Sequence, residues 1–132
     1  MDLKDPYTHF IQDKNYVYAG KHLLIDLIGC KANLCSVEFT QKTLNTAITM
    51  TGASVVKETF HSFGEGCGVT GILLLAESHA ASHSWPELHL VVIDIFTCGE
   101  HTEPSNCLQY LKDAFQAEQI FVQEIKRALT VT

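Results

Sequence analysis

The chain has 132 residues, 46% of them hydrophobic, and a formal net charge of −6 from fifteen acidic against nine basic residues. That length suits one compact domain with a single core. The shortage of cations, with Arg127 the one arginine, excludes a phosphate-neutralising nucleic-acid face.

Taken in chain order, residues 1–19 are polar and aromatic without a clear period and read as an irregular N-terminal extension. They carry acids where a secretory signal needs positive charge, and no apolar core follows them. Residues 20–132 read as one domain. KHLLIDLIGC (21–30) predicts a strand. A helix is predicted over 37–50, with Val37, Leu44 and Ile48 on one stripe, Ser36 as its N-cap and Gly52 as its stop. ASVVKETFHSF (53–63) is rich in β-formers, GEGCG (64–68) is a turn, and VTGILLLA (69–76) is a second strand of that pair. ELHLVVIDIFTC (87–98) is apolar at both parities from Leu90 to Phe96, the pattern of a strand covered on both faces. Pro104 opens a second helix with Leu108, Leu111 and Phe115 on one face, and QIFVQEIKRAL (119–129) closes the chain as a strand or mixed segment.

The expected order is β-α-β-β-β-α-β. It predicts an α+β two-layer sandwich, a mainly antiparallel sheet with two helices on one face. The central strands are apolar on the other face as well, so a second copy is expected to cover them and make a homodimer. No stretch approaches the roughly eighteen unbroken apolar residues of a spanning helix. A cytoplasmic protein is expected, without membrane or nucleic-acid partners. The five cysteines, Cys30, Cys35, Cys67, Cys98 and Cys107, form no CxxC pair, and an odd count argues against a disulfide framework. Most of them are expected to be buried small hydrophobes.

AESHAASHSWPE (76–87) concentrates an acid, serines, histidines and a tryptophan directly after an apolar strand. As a hydrolase site it would use Ser78 as nucleophile with His79 or His83 as base, but it lacks the G-x-S-x-G elbow and an obvious orienting acid. As a metal site it would use His79 and His83 at i,i+4. That spacing needs a helix, whereas Pro86 and the small polar residues suggest a turn. A polar turn between strands is the remaining reading, and it leaves the clustering unexplained.

The stretch GVTGILLLAESHAASHSWPELHLVVIDIFTCGE (68–100) closely resembles the processing-site region of the short prokaryotic S-adenosylmethionine decarboxylases. That pattern is an apolar strand, E-S-H, then H-[ST]-[WF]-P-E, then a strand ending F-T-C-G. GKHLLIDLIGC and TGASVVKETFHSF match in order, so the resemblance covers about residues 20–125 and includes the expected fold.

The resemblance implies a proenzyme that cuts itself between Glu77 and Ser78. The Ser78 hydroxyl attacks the preceding carbonyl to give an ester, and elimination leaves a dehydroalanine that hydrolyses to a pyruvoyl group. No metal is implied. It further implies that His83 takes the α-proton during processing and that Thr70 assists at a position the family fills with serine. Cys98 returns a proton to the substrate carbon after CO₂ leaves. Phe63 and Trp85 flank adenine, and Glu87 binds the ribose hydroxyls. The implied function is decarboxylation of S-adenosylmethionine to an aminopropyl donor for spermidine and polyamine synthesis. Relatives that act on arginine or ornithine, or an unprocessed paralogue that binds a partner, are the alternatives. The chain departs from the pattern in Thr70, in a GEGCGVTG loop (64–71) one residue longer than usual, and in residues 1–19, which precede the common start.

Overall fold

The computed structural model describes residues 6–131. Its elements are strands β1 (Ile11–Gln12), β2 (Tyr16–Tyr18) and β3 (Gly20–Ile28), helix α1 (Val37–Thr51), strands β4 (Val55–Ser62), β5 (Val69–Leu75), β6 (His79–Trp85) and β7 (Leu90–Cys98), helix α2 (Leu108–Ala114), and strands β8 (Gln119–Arg127) and β9 (Thr130–Val131). Six strands form one antiparallel sheet in the order β4-β5-β6-β7-β3-β8. The β3 strand, early in the chain, is thus inserted between two late strands, β7 and β8. The three shortest strands form a separate small sheet, β1-β2-β9.

Both helices lie on one face of the large sheet, as the α+β pattern predicts. Strand periodicity sends Leu23, Ile25 and Leu27, Leu73 and Leu75, and Val91, Ile93 and Ile95 to that face. There they pack with Leu44, Ala47 and Ile48 of α1 and with Leu111 and Phe115. Ser36 caps α1 by accepting from the Phe39 amide at 3.0 Å, and Gly52 ends it at φ 89°, the left-handed conformation that favours glycine. The second helix begins as a 3₁₀ turn, Pro104–Cys107, before α2.

The opposite face carries Leu24, Ile72, Leu74, Phe121 and Ile125, which are 37–57% exposed. Among them lies a polar row from His22, His79, His83 and Asp94. No helix among the described residues is long and apolar enough to cross a membrane.

Four expectations are corrected. The largest concerns residues 77–86, expected as a turn: only Ala76 and Glu77 form the hairpin loop, and His79–Trp85 is a full strand between β5 and β7. Its period is hidden because the inward residues are the small Ala80, Ser82 and Ser84 rather than large hydrophobes. Phe60 fills the adjoining space, since a Cβ on Gly71 would meet its ring at 2.5 Å.

The strand expected from residue 87 instead starts at Leu90, because Pro86–Leu88 is a 3₁₀ turn and His89 takes φ 52°. The lead-in expected to be irregular contains β1 and β2, with Val17 and Tyr18 buried; residues 1–5 lie outside the described residues. Of the five cysteines, only Cys30 and Cys107 are buried. Burial raises each of those two thiols to about 11, so they behave as inert packing groups.

Candidate active site: two half-sites on one sheet

The β5–β6 hairpin places the Glu77–Ser78 bond at its tip. The Leu75 amide donates to the Ser78 carbonyl at 2.9 Å, leaving Ala76 and Glu77 as a two-residue loop. Strand β7 runs alongside and ends at Cys98, whose thiol donates to the Glu77 carbonyl oxygen at 3.3 Å. The carbonyl of the candidate scissile bond is therefore in contact with the candidate catalytic thiol. Burial, and after it the Glu77 carboxylate, pushes the Cys98 thiol above its ordinary range. The thiol is thus held protonated, as a hydrogen-bond donor or acid must be. Ala76, Glu77, Ser78 and Cys98 line a hollow of about 210 Å³ with Gly52–Ser54, His101 and Thr102.

A second group forms at the other end of β6. His83 and Thr70 are paired across β5 and β6, and Thr70 Oγ1 is 3.1 Å from His83 Nδ1. The His83 and Trp85 rings are 6.3 Å apart. Beyond them, Phe63 and Trp85 are exposed by 63% and 39%, so neither ring is core. Phe63, Cys67, Thr70, His83, Trp85 and Glu87 line a cavity of about 390 Å³, closed on one side by Gly66 and Gly68. The loop that departs from the family pattern therefore forms a wall of this cavity. Its exit is tight: a Cβ on Gly68 would sit 2.0 Å from the Ser84 carbonyl oxygen, so only glycine lets the loop approach β6 there.

The structure thus brings Glu77, Ser78 and Cys98 together, and separately Thr70, His83, Phe63, Trp85 and Glu87. It does not bring the groups to each other. Five residue-to-residue steps of extended chain separate Ser78 from His83, a span of about 16 Å. Strand geometry also undoes the His79–His83 metal pair, whose Cα atoms lie about 13 Å apart. His79 instead meets His22 and Asp94, with one potential ligand atom of each within 4.8 Å of the others. Sequence reasoning missed this cluster, and it missed the Cys98 contact with the scissile carbonyl. The strand parity of Cys98 carries no hint of that contact, because the neighbour at Glu77 is set by a hairpin tighter than the turn its polar sequence suggests.

Comparison with known proteins identifies the family. The family model for S-adenosylmethionine decarboxylase matches residues 21–128. A protein of Thermomicrobium roseum named S-adenosylmethionine decarboxylase proenzyme is 33% identical over 112 residues, covering 85% of this chain and 96% of that one. A Synechococcus protein of the same name is 42% identical over 99 residues, covering 74% and 77%. The crystal structure of the adenosylmethionine decarboxylase of Aquifex aeolicus superposes with a TM-score of 0.76 at 28% identity, covering 86% of this chain and 93% of that one. With the family model spanning nearly the whole large sheet and its helices, the chain belongs to the S-adenosylmethionine decarboxylase family.

Proposed function

We propose that this chain is a proenzyme that cuts itself between Glu77 and Ser78, converts Ser78 to a pyruvoyl group and decarboxylates S-adenosylmethionine at the resulting site. The observation that carries the reading is the Cys98 thiol on the Glu77 carbonyl oxygen. A donor there stabilises the negative charge that develops on that oxygen when the Ser78 hydroxyl adds to the carbonyl. Residue 78 and Cys98 share one hollow, so a ketone at position 78 fits beside a protonated thiol. When formed, the pyruvoyl ketone supplies an electrophile that condenses with the substrate amine and draws electrons from its α-carbon. Cys98 then holds the proton that this carbon takes up after CO₂ leaves. His83, its ring fixed by Thr70, is the base for maturation.

Assembly follows from the half-sites. A His83 about 16 Å along the strand from Ser78 cannot serve it, and the hollow at Ser78 is smaller than the roughly 300–1,000 Å³ of small-molecule sites. Two copies packed through their open sheet faces in antiparallel orientation bring Ser78 and Cys98 of one to Thr70, His83, Phe63, Trp85 and Glu87 of the other. The same packing covers the exposed apolar side chains. Phe63 and Trp85 then offer stacking surfaces to adenine and a π-face to the sulfonium, and Glu87 offers acceptors to ribose hydroxyls.

The test is a decarboxylation assay with S-adenosylmethionine, ornithine and arginine, paired with Trp85→Ala. S-adenosylmethionine should be the preferred substrate. Loss of one stacking surface, about 1–3 kcal/mol, should raise its KM roughly 5- to 150-fold. Preference for a basic amino acid, with Trp85→Ala silent, would move the substrate assignment to that class.

The pH dependence has a definite sign. A thiol whose pKa is raised keeps its proton to higher pH than an ordinary thiol. The alkaline fall in kcat assigned to Cys98 should therefore lie above about 8.5. A thiol-dependent fall centred below pH 8 would contradict Cys98 as the acid.

A further inference from the structure

The polar row on the open sheet face includes four linked side chains from four successive strands, β6, β7, β3 and β8. Arg127 Nη1 lies 3.2 Å from His22 Nδ1, and His22 Nε2 lies 2.9 Å from Asp94 Oδ2. The same carboxylate oxygen is 3.7 Å from His79 Nε2. A guanidinium can only donate, so His22 Nδ1 accepts; its Nε2 then carries the hydrogen and donates to Asp94. These two hydrogen bonds fix the Asp94 carboxylate, and His79 sits beside it at ion-pair distance. The His79 ring, itself partly open to solvent, is flanked by His22 at 5.7 Å and Phe96 at 5.8 Å between centroids, while Arg127 Cζ caps Phe96 at 5.6 Å.

His79 is the first residue of β6, and its amide nitrogen carries residue 78. Before cleavage, residue 78 is restrained on both sides by the hairpin. Cleavage at 77/78 releases one side and leaves a chain terminus, the kind of segment that frays unless it is tied down. The geometry points to His22 and Asp94 as positioning residues that pin His79, and through it residue 78, beside Cys98 in the matured enzyme. Arg127 sets the tautomer of His22, and Phe96 is the surface against which the His79 ring is held. The same strand β7 carries Asp94, Phe96 and Cys98 on one face at i, i+2 and i+4, so one rigid element fixes both the pin and the acid. This inference rests on the pyruvoyl reading above.

A displaced terminus should change where a proton is delivered. With residue 78 in register, Cys98 protonates the substrate carbon. Out of register, the proton reaches the residue-78 carbon instead. Hydrolysis then leaves the substrate nitrogen on residue 78 as the amine of an N-terminal alanine, and the substrate departs as an aldehyde. A pyruvoyl terminus is blocked to Edman degradation and an alanine terminus is not, so misdelivery is read on the protein itself.

The experiment compares the parent enzyme with Asp94→Ala and His22→Gln. It measures cleavage by intact mass, kcat and KM, and alanine at residue 78 per turnover by Edman sequencing. Each variant should still be cut and should keep KM within about threefold, while kcat falls roughly 10- to 100-fold, as displacements near 1 Å do. Alanine per turnover should rise at least about tenfold, a change that general destabilisation does not produce. The inference is overturned if either folded variant keeps the parent's alanine fraction, or if both variants fail to cleave. A parent that is never cut at 77/78 would instead sink the pyruvoyl reading itself. A variant that fails to fold leaves the other to decide.

Discussion

Co-expression of Ser78→Ala and His83→Ala chains should restore a cleavage that neither chain performs alone. Ser78→Ala removes the attacking hydroxyl, so that chain stays whole. His83→Ala removes the base, so its maturation should halt at or near the ester. In a mixed dimer, one composite site holds Ser78 and Cys98 of the His83→Ala chain opposite Thr70 and His83 of the Ser78→Ala chain. Every required group is then present at that site and both altered groups lie at the other. Random pairing should release residues 78–132 from about half of the His83→Ala chains. Distinct tags would identify mixed dimers, and intact mass would show which chain was cut. Mixed dimers without cleavage would refute the shared site; full cleavage of His83→Ala alone would refute the role of His83.

The second large effect lies at Cys98, where two substitutions separate two duties. Cys98→Ser keeps a hydroxyl donor at the Glu77 carbonyl, so the chain should still be cut. A serine hydroxyl is a far weaker acid than a thiol, so turnover should fall by about 10²–10⁴, the range attributed to a positioned general acid. Cys98→Ala removes the donor as well, and its cleavage should be slower than that of Cys98→Ser by about 10²-fold or more, as for loss of one oxyanion donor. Time courses of fragment appearance, followed by single-turnover assays of matured protein, separate the two steps. Equal cleavage of Ala and Ser variants would mean that the 3.3 Å contact has no part in maturation. Cys30 and Cys107, buried and distant in role, should show no such split.

How far the sequence revealed the site depended on which physical signal each residue carries. The α1 helix was legible to its ends because Ser36 and Gly52 are capping residues with local, mechanical reasons to be there. Strands β3, β5 and β7 were legible because their inward positions are large and apolar. Strand β6 was not, since Ala80, Ser82 and Ser84 fill its inward positions and imitate a polar turn. That one misreading also concealed the geometry of the site. Residues five apart in a turn or helix lie close together, so Ser78 and His83 read as neighbours. In a strand they are held at opposite ends, and that separation is the ground for the proposed second copy. The His22–Asp94 pin was invisible because its members are scattered across the sequence and meet only through the β6-β7-β3-β8 strand order.

That strand order has a bearing on how a matured enzyme comes apart. A cut at 77/78 gives one fragment containing β3, β4 and β5 and another containing β6, β7 and β8. Because β3 is seated between β7 and β8, the fragments are interlaced, and neither can leave without opening ladders on both sides of β3 and the β5–β6 pair. Maturation therefore costs little native cohesion but changes molecularity: the precursor folds as one chain, whereas the matured protomer must re-form from two. Its unfolding equilibrium gains a further concentration dependence beyond that of subunit association, and dilution during denaturation makes the loss difficult to reverse. The proposed cleavage would thus be a one-way step for the fold as well as for the chemistry of residue 78.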